Sequence, residues 1–458
     1  MSISTWRRRG AACVAAALLA LPTGPAFAAP AGPTSAGNGG HFHTRTLDPT
    51  AGGGAVVEVR AATTYYVDAT GDDTRAGTSP ATAWRTVAEV NRRTLHPGDA
   101  VLFRQGQRFD DARLLAGVAS VTYGSYGTGA RPVLDGGGGD AHTVDVTAPF
   151  VAVQDLQVQN GGDVDKVGIA VSAPDVVVRR VTATGNAIGV QAQEGGDRLR
   201  VTGSVLSHNT TVIEPEPDTG DDDYGACGVA VLTVDHVEID HNTFVGNVGA
   251  SSDFGLDGSA VEIYGATFTS VHHNRATDNQ TFTELGNDGT ADTTYQNNLI
   301  VTTASAPAGA YGFNVQGGDG RFGGVERTTI TNNTIVMRSA DPGPLSVGPD
   351  ADVTFHNNVV QAINTGYTDG PIDEGHNVYH GWNYNGINST AAPGGVGTAP
   401  SSTTANPLFQ SATDYHLRSG SPALNLGVDT YGATLDLDDQ PRVYGPRVDA
   451  GAYERRSA

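Results

Sequence analysis

The sequence predicts an all-β chain wound as a parallel β-helix solenoid with a short N-terminal capping helix. Three observations carry that prediction. Between about Val144 and Gln361 the chain repeats itself, each unit holding an alternating strand, a second β-rich run and an asparagine-bearing turn. The turn asparagines Asn186, Asn209, Asn242, Asn274, Asn298, Asn333 and Asn358 are spaced by 23, 33, 32, 24, 35 and 25 residues, a base period near 24 with insertions. A unit this short cannot bury its own apolar face and must stack on its neighbours. Val, Ile and Thr dominate the repeat and no helical period is visible, so the stacked units are strands.

The asparagines read as a structural ladder. Stacked in one turn position, their amides bond from rung to rung, and Asn tolerates the left-handed backbone of such turns. His208, His241, His273 and His356 sit beside that ladder and are read as part of it, not as metal ligands.

Residues 1–28 have the pattern of a signal peptide: Arg7-Arg-Arg9, the apolar run Ala11 to Leu21, and Ala26-Phe-Ala28 before Ala29. A secreted, extracellular protein follows. The apolar run is too short to span a membrane, and no later stretch approaches about 20 apolar residues. Cleavage there removes Cys13 and leaves Cys227 alone, so no intramolecular disulfide is expected and Cys227 reads as a small buried residue. The net charge of −22 excludes nucleic acid as a partner and requires a cation or local arginines to hold an anionic polysaccharide. Residues 29–62, rich in Ala, Gly, Pro, Ser and Thr, read as a flexible linker.

The single domain then spans 63–458, divided into a cap region at 63–135, coils at 136–365, and C-terminal coils and cap at 366–458. A monomer is expected. Thr64-Tyr-Tyr-Val-Asp68 opens a strand, and Thr86-Val-Ala-Glu89 is a capping box before a short helix that would cover the solenoid's open end. Tyr65-Tyr-Val-Asp68, Gly77-Thr-Ser-Pro80, Ala83-Trp-Arg-Thr86, Pro97-Gly-Asp99 and Phe103-Arg-x-Gly106 resemble the N-terminal cap of secreted pectate-lyase-like right-handed β-helix proteins. Asn406-Pro-Leu-Phe409, Asp414-Tyr-His-Leu417, Ser421-Pro-Ala423 and Asp449-Ala-Gly-Ala-Tyr-Glu454 resemble the closing segment of the same group. The resemblance implies the right-handed fold and says little about the reaction, since one fold hosts many.

Alternation places Ile169, Val171, Ile188, Val190, Val229, Val231, Val261 and Ile263 inward. Outward come Gly168, Ala170, Ala187, Gly189, Gly228, Ala230 and Ala260, a low floor for an extended ligand. That floor ends in Glu262, with Glu284 on the next rung, Asn314 on the one after and Tyr264 two residues beyond Glu262. Stacked glutamates about 4.8 Å apart repel and need a reason. A bound Ca²⁺ held by Glu262, Glu284 and Asn314 is one, and a carboxyl pair doing acid–base work is another. Two insertions, Glu214 to Gly225 and Ser252 to Gly258, are expected to wall the groove, with Tyr224 and Asp257 closest to it.

The expected reaction is β-elimination in an anionic polysaccharide, alginate or a related polyuronate. Stacked glutamates holding calcium resemble the arrangement in β-helix polysaccharide lyases, with Lys166, Arg275 or Tyr264 as base. Lys166 falls about three rungs from Glu262. The alternatives are a glycoside hydrolase using Glu262 and Glu284, and a non-catalytic sugar-binding solenoid.

Overall fold

The computed structural model describes residues 62–456 apart from 139–141, 162–165, 215–221, 304, 308, 319–322, 339–342, 363, 369–371, 382–387 and 390–398. The signal-peptide and linker readings, and Glu216, Asp218 and Asp221 of the first insertion, lie outside the described residues.

The chain is a right-handed parallel β-helix. Three sheets of twelve, eleven and twelve strands run its length, every neighbouring pair within them parallel. A single coil shows the construction. Val167–Val171 lies in the eleven-stranded floor sheet, Val177–Arg179 in a flank sheet and Thr182–Thr184 in a back sheet, before Ile188–Ala192 returns to the floor. Among the described residues the longest sheets count twelve strands, more than the repeat between Val144 and Gln361 contributes. Strands such as Thr64–Val67, Ala100–Arg104 and Thr122–Tyr126 in the cap region pair into the flank sheet. The predicted helix is present at Val87–Arg92, with Thr86 Oγ1 accepting from Glu89 N. It covers the end of the floor sheet directly: Asn91 donates to Arg113 O and accepts from Leu115 N, satisfying the edge of the terminal strand Leu114–Ala116. No helix among the described residues is long and apolar enough to cross a membrane.

The interior is a set of stacked columns. Val144, Ile169, Val190, Val229, Val261, Thr283, Phe313 and Leu345 are successive register partners on the inner face of the floor. Each buried aliphatic there contributes about 1.5–3 kcal/mol. Thr283 is the polar member, and its hydroxyl is hydrogen-bonded to the buried Tyr295 hydroxyl at 2.7 Å.

The asparagines form two ladders, at different corners. Asn186, Asn209, Asn247 and Asn279 stack where the back sheet turns into the floor. Asn242, Asn274, Asn298, Asn333, Asn358 and Asn377 stack where the flank turns into the back. Each amide donates to the next carbonyl oxygen at 2.8–3.2 Å. The 33-residue interval from Asn209 to Asn242 therefore joins two corners. The corresponding step within the first ladder, Asn209 to Asn247, is 38 residues. His208, His241 and His273 take the left-handed backbone just before a ladder asparagine, whereas His356 ends the strand Val353–His356. Cys227 is a free, buried cysteine in the floor strand Cys227–Leu232.

Candidate active site

The outward column of the floor runs Asp145, Ala170, Gln191, Ala230, Glu262, Glu284, Asn314 and Ser346 in consecutive register. Simple alternation is correct for its second half and wrong at its entry. An added Cβ on Gly189 would meet Asn209 and Ala183, and on Gly228 it would meet Phe244 Cδ1 at 2.7 Å, so these glycines face the interior. Ala260 and Phe282, at the same position, belong to the core. Val167, Ile188 and Cys227 turn outward instead, packing with Ala170, Ala187 and Ala230 under Ile213 and Leu232. Two consecutive inward residues at each corner cause the offset. The early floor is thus a covered apolar patch, and the open chemistry concentrates further along.

There the first insertion forms a hairpin of Val212–Ile213 with Tyr224–Gly225, and the second a hairpin of Gly249–Ser251 with Gly255–Asp257. Gly258, at φ +133, returns the second hairpin to the floor. A Cβ on it would lie 2.8 Å from both Ala226 O and Asn247 O, so only glycine fits. Asp257 immediately precedes this turn, its Oδ1 accepting from Gly258 N at 2.7 Å. Tyr224 packs against Tyr264, both buried, with Ile213 and Leu232 alongside. Tyr264 in turn lies over Gly286, its register partner, where an added Cβ would come within 2.7 Å of Tyr264 Cε1.

Glu262 and Glu284 are buried side by side. Ser259 Oγ donates to Glu262 Oε1 at 2.7 Å. Asn314 and Gln316 donate to Glu284 Oε1 at 3.1 and 2.9 Å. Burial pushes the Glu284 carboxyl up, while Gln316, Tyr264 and Asn314 favour its charged form. Asp257 is pushed further, well above the ordinary aspartate range, first by burial and then by the charges of Glu262, Glu284 and, more weakly, Asp223. A strongly raised acid beside other carboxylates is an arrangement that can donate a proton at one point and accept one at another.

The predicted residues divide. Asp257, Glu262, Glu284, Asn314, Tyr264 and Tyr224 converge on one stretch of floor. Lys166 is exposed at the entry to Val167–Val171, three rungs from the strand of Glu262. Arg275 is on the back sheet, in the strand Arg275–Thr277, where it pairs with Asp438 at 3.0 Å. The structure brings neither together with the glutamates: Lys166 is three rungs away along the same sheet, and Arg275 is on a different sheet. Ser259, Gln191 and Gln316 were missed. Gln191 and Gln316 fall just past the strands that alternation marks out, and Ser259 precedes its strand.

Calcium seeks six to eight oxygens. Glu284 Oε1 accepts from Asn314 and Gln316, and Glu262 Oε1 accepts from Ser259, so each glutamate has one oxygen engaged in a hydrogen bond. A second group of oxygens suited to a hard cation lies on the hairpins, where Asp222, Asp223 and Asp253 bring carboxylate atoms within 4.8 Å of one another.

No family model matches the chain. A stretch of 87 residues is 40% identical to a lacto-N-biosidase of Bifidobacterium longum subsp. longum, covering 17% of this chain and 5% of that protein. The chain thus spans about a twentieth of the curated relative it matches. Among solved structures, pectate lyase Pel9A superposes with a TM-score of 0.52 and 14% identity over 87% of this chain and 98% of that one. A GH136 lacto-N-biosidase from Eubacterium ramulus gives 0.48 and 17% over 70% and 68%. The Pel9A likeness is one of fold, and it agrees with the parallel β-helix described above.

Proposed function

We propose that the protein is a carbohydrate-active enzyme that hydrolyses glycosidic bonds, with Asp257 as general acid and Glu284 as the partner carboxylate. The observation that carries this reading is the placement of Asp257 beside Glu262 and Glu284, which keeps its proton bound when ordinary aspartates have lost theirs. In this scheme Asp257 gives its proton to the bridging oxygen as the sugar carbon–oxygen bond breaks. Glu284, held by Asn314 and Gln316, either takes a proton from the incoming water or first bonds the sugar carbon itself. Glu262 supplies the charge that keeps Asp257 protonated. A site of carboxylates suits a neutral glycan, because a uronate would add a further negative charge. The identity to a lacto-N-biosidase supports a hydrolytic reading.

Elimination in an anionic polysaccharide, with Tyr264 as base, is the second reading. The acidic group on the hairpins favours it, since a cation there would offset substrate charge. Incubation of the purified protein with a panel of neutral and uronate glycans separates the two. New reducing ends without the ultraviolet absorbance of an unsaturated end support hydrolysis. Absorbance appearing together with the reducing ends overturns it in favour of the lyase.

A further inference from the structure

We propose that Asp222, Asp223 and Asp253 bind a Ca²⁺ ion that clamps the return strand of the first wall hairpin to the turn of the second. The site is distinct from the floor acids, and the inference holds whichever reaction the floor performs. The two hairpins pack directly: a Cβ on Gly249 would lie 2.7 Å from Val212 Cγ2. Carboxylates join them. Asp253 Oδ2 accepts from the backbone N of Asp222 and Asp223 at 2.9 and 3.3 Å. Asp223 Oδ2 accepts from Ser251 Oγ at 2.6 Å, Asp253 N at 3.0 Å and Ser252 Oγ at 3.2 Å.

These bonds use one oxygen of Asp223 fully and leave the other without a partner. Asp223 is completely buried, and its Oδ1 has no hydrogen-bond donor from the protein. Burying a carboxylate oxygen with nothing to balance it is expensive, and native structures rarely do so. Asp223 belongs to a group in which one carboxylate oxygen from each residue lies within 4.8 Å of the others. Glu214 adds a further negative group, accepting from Ser252 N at 3.2 Å. A cation is what such a cluster lacks. The donors are oxygens alone, with no histidine or thiolate, which selects a hard ion over zinc or copper. Carboxylates on two separate loops, with serine hydroxyls beside them, suit the larger and geometrically tolerant Ca²⁺ better than Mg²⁺.

The clamp has a structural consequence at the floor. Asp253 is at the turn of the hairpin whose second strand ends in Asp257, so fixing the tip fixes the strand that carries Asp257.

Calorimetric titration of chelator-treated protein with CaCl₂, together with its melting temperature, tests the site without any substrate. One equivalent of calcium is expected to bind and to raise the melting temperature by about 2 °C or more. Asp222→Asn, at a partly exposed position, is expected to keep the calcium-free melting temperature and weaken binding at least tenfold. Asp223→Asn is expected to abolish binding, and the Asp222 variant decides the matter should the Asp223 variant fail to fold. Glu284→Gln is expected to bind calcium as the unaltered protein does. Absence of binding at millimolar calcium overturns the proposal. So does calcium binding that Glu284→Gln removes and Asp222→Asn leaves intact.

Discussion

Glu262 and Glu284 are register partners on adjacent parallel strands, both buried and both on the outer face of the floor. Burial and then their charges push the Asp257 carboxyl up. Glu262→Gln removes one of those charges and should lower the Asp257 pKa. The basic limb of the pH–rate profile is expected to move toward acid by about one unit, since each unit corresponds to about 1.4 kcal/mol of interaction. A profile unchanged by Glu262→Gln would remove the coupling.

Asp257→Asn should cost two orders of magnitude or more in turnover while leaving the fold intact. It should also stabilise the protein. A raised folded-state pKa means that the native form binds the proton more tightly than the unfolded chain does. The associated stability is therefore complete below the ordinary value of 3.8 and is lost as pH rises through the folded-state value. The melting temperature of Asp257→Asn is expected to exceed that of the unaltered protein at neutral pH, with the gap closing toward pH 4. Equal melting curves at both pH values would show that Asp257 titrates normally.

Gly286 gives Tyr264 its place. With an added Cβ only 2.7 Å from Tyr264 Cε1, Gly286→Ala must displace the ring from Glu284 or strain the strand. A loss of about 1–3 kcal/mol in denaturant-measured stability is expected, along with reduced turnover. Wild-type values for both would mean that the tyrosine has room to move.

The ladders carry much of the fold's specificity. Asn298 donates to Asn333 Oδ1 and Val271 O and accepts from Asn274, all while fully buried. Asn298→Ala leaves several of these groups unpaired and should destabilise by about 2–4 kcal/mol.

The repeat exposed the solenoid because stacking demands the same residue types at the same place in every coil. Glu262, Glu284, Asn314 and Tyr264 were legible for that reason, as outward members of strands whose inner faces are apolar. Alternation failed at Gly168, Gly189 and Gly228, because two successive residues face the core where the back sheet turns into the floor. It also failed to separate the two asparagine ladders, since each corner asks for the same side chain and the sequence carries no mark of which corner is which. Arg275 was misplaced by proximity in sequence to Glu262, when more than half a coil of chain carries it round to the back sheet. The meeting of Asp222 and Asp223 with Asp253 depends on two insertions packing together, and no local pattern encodes that.

The central claim is that water, and not elimination, completes bond cleavage at Asp257 and Glu284. Mass spectrometry of products formed in heavy-oxygen water tests it most directly, on whichever glycan of the panel is cleaved. The account predicts one heavy oxygen at each new reducing end and none at an unsaturated end, with the signal lost in Asp257→Asn. Products that carry an unsaturated sugar and no heavy oxygen would contradict it.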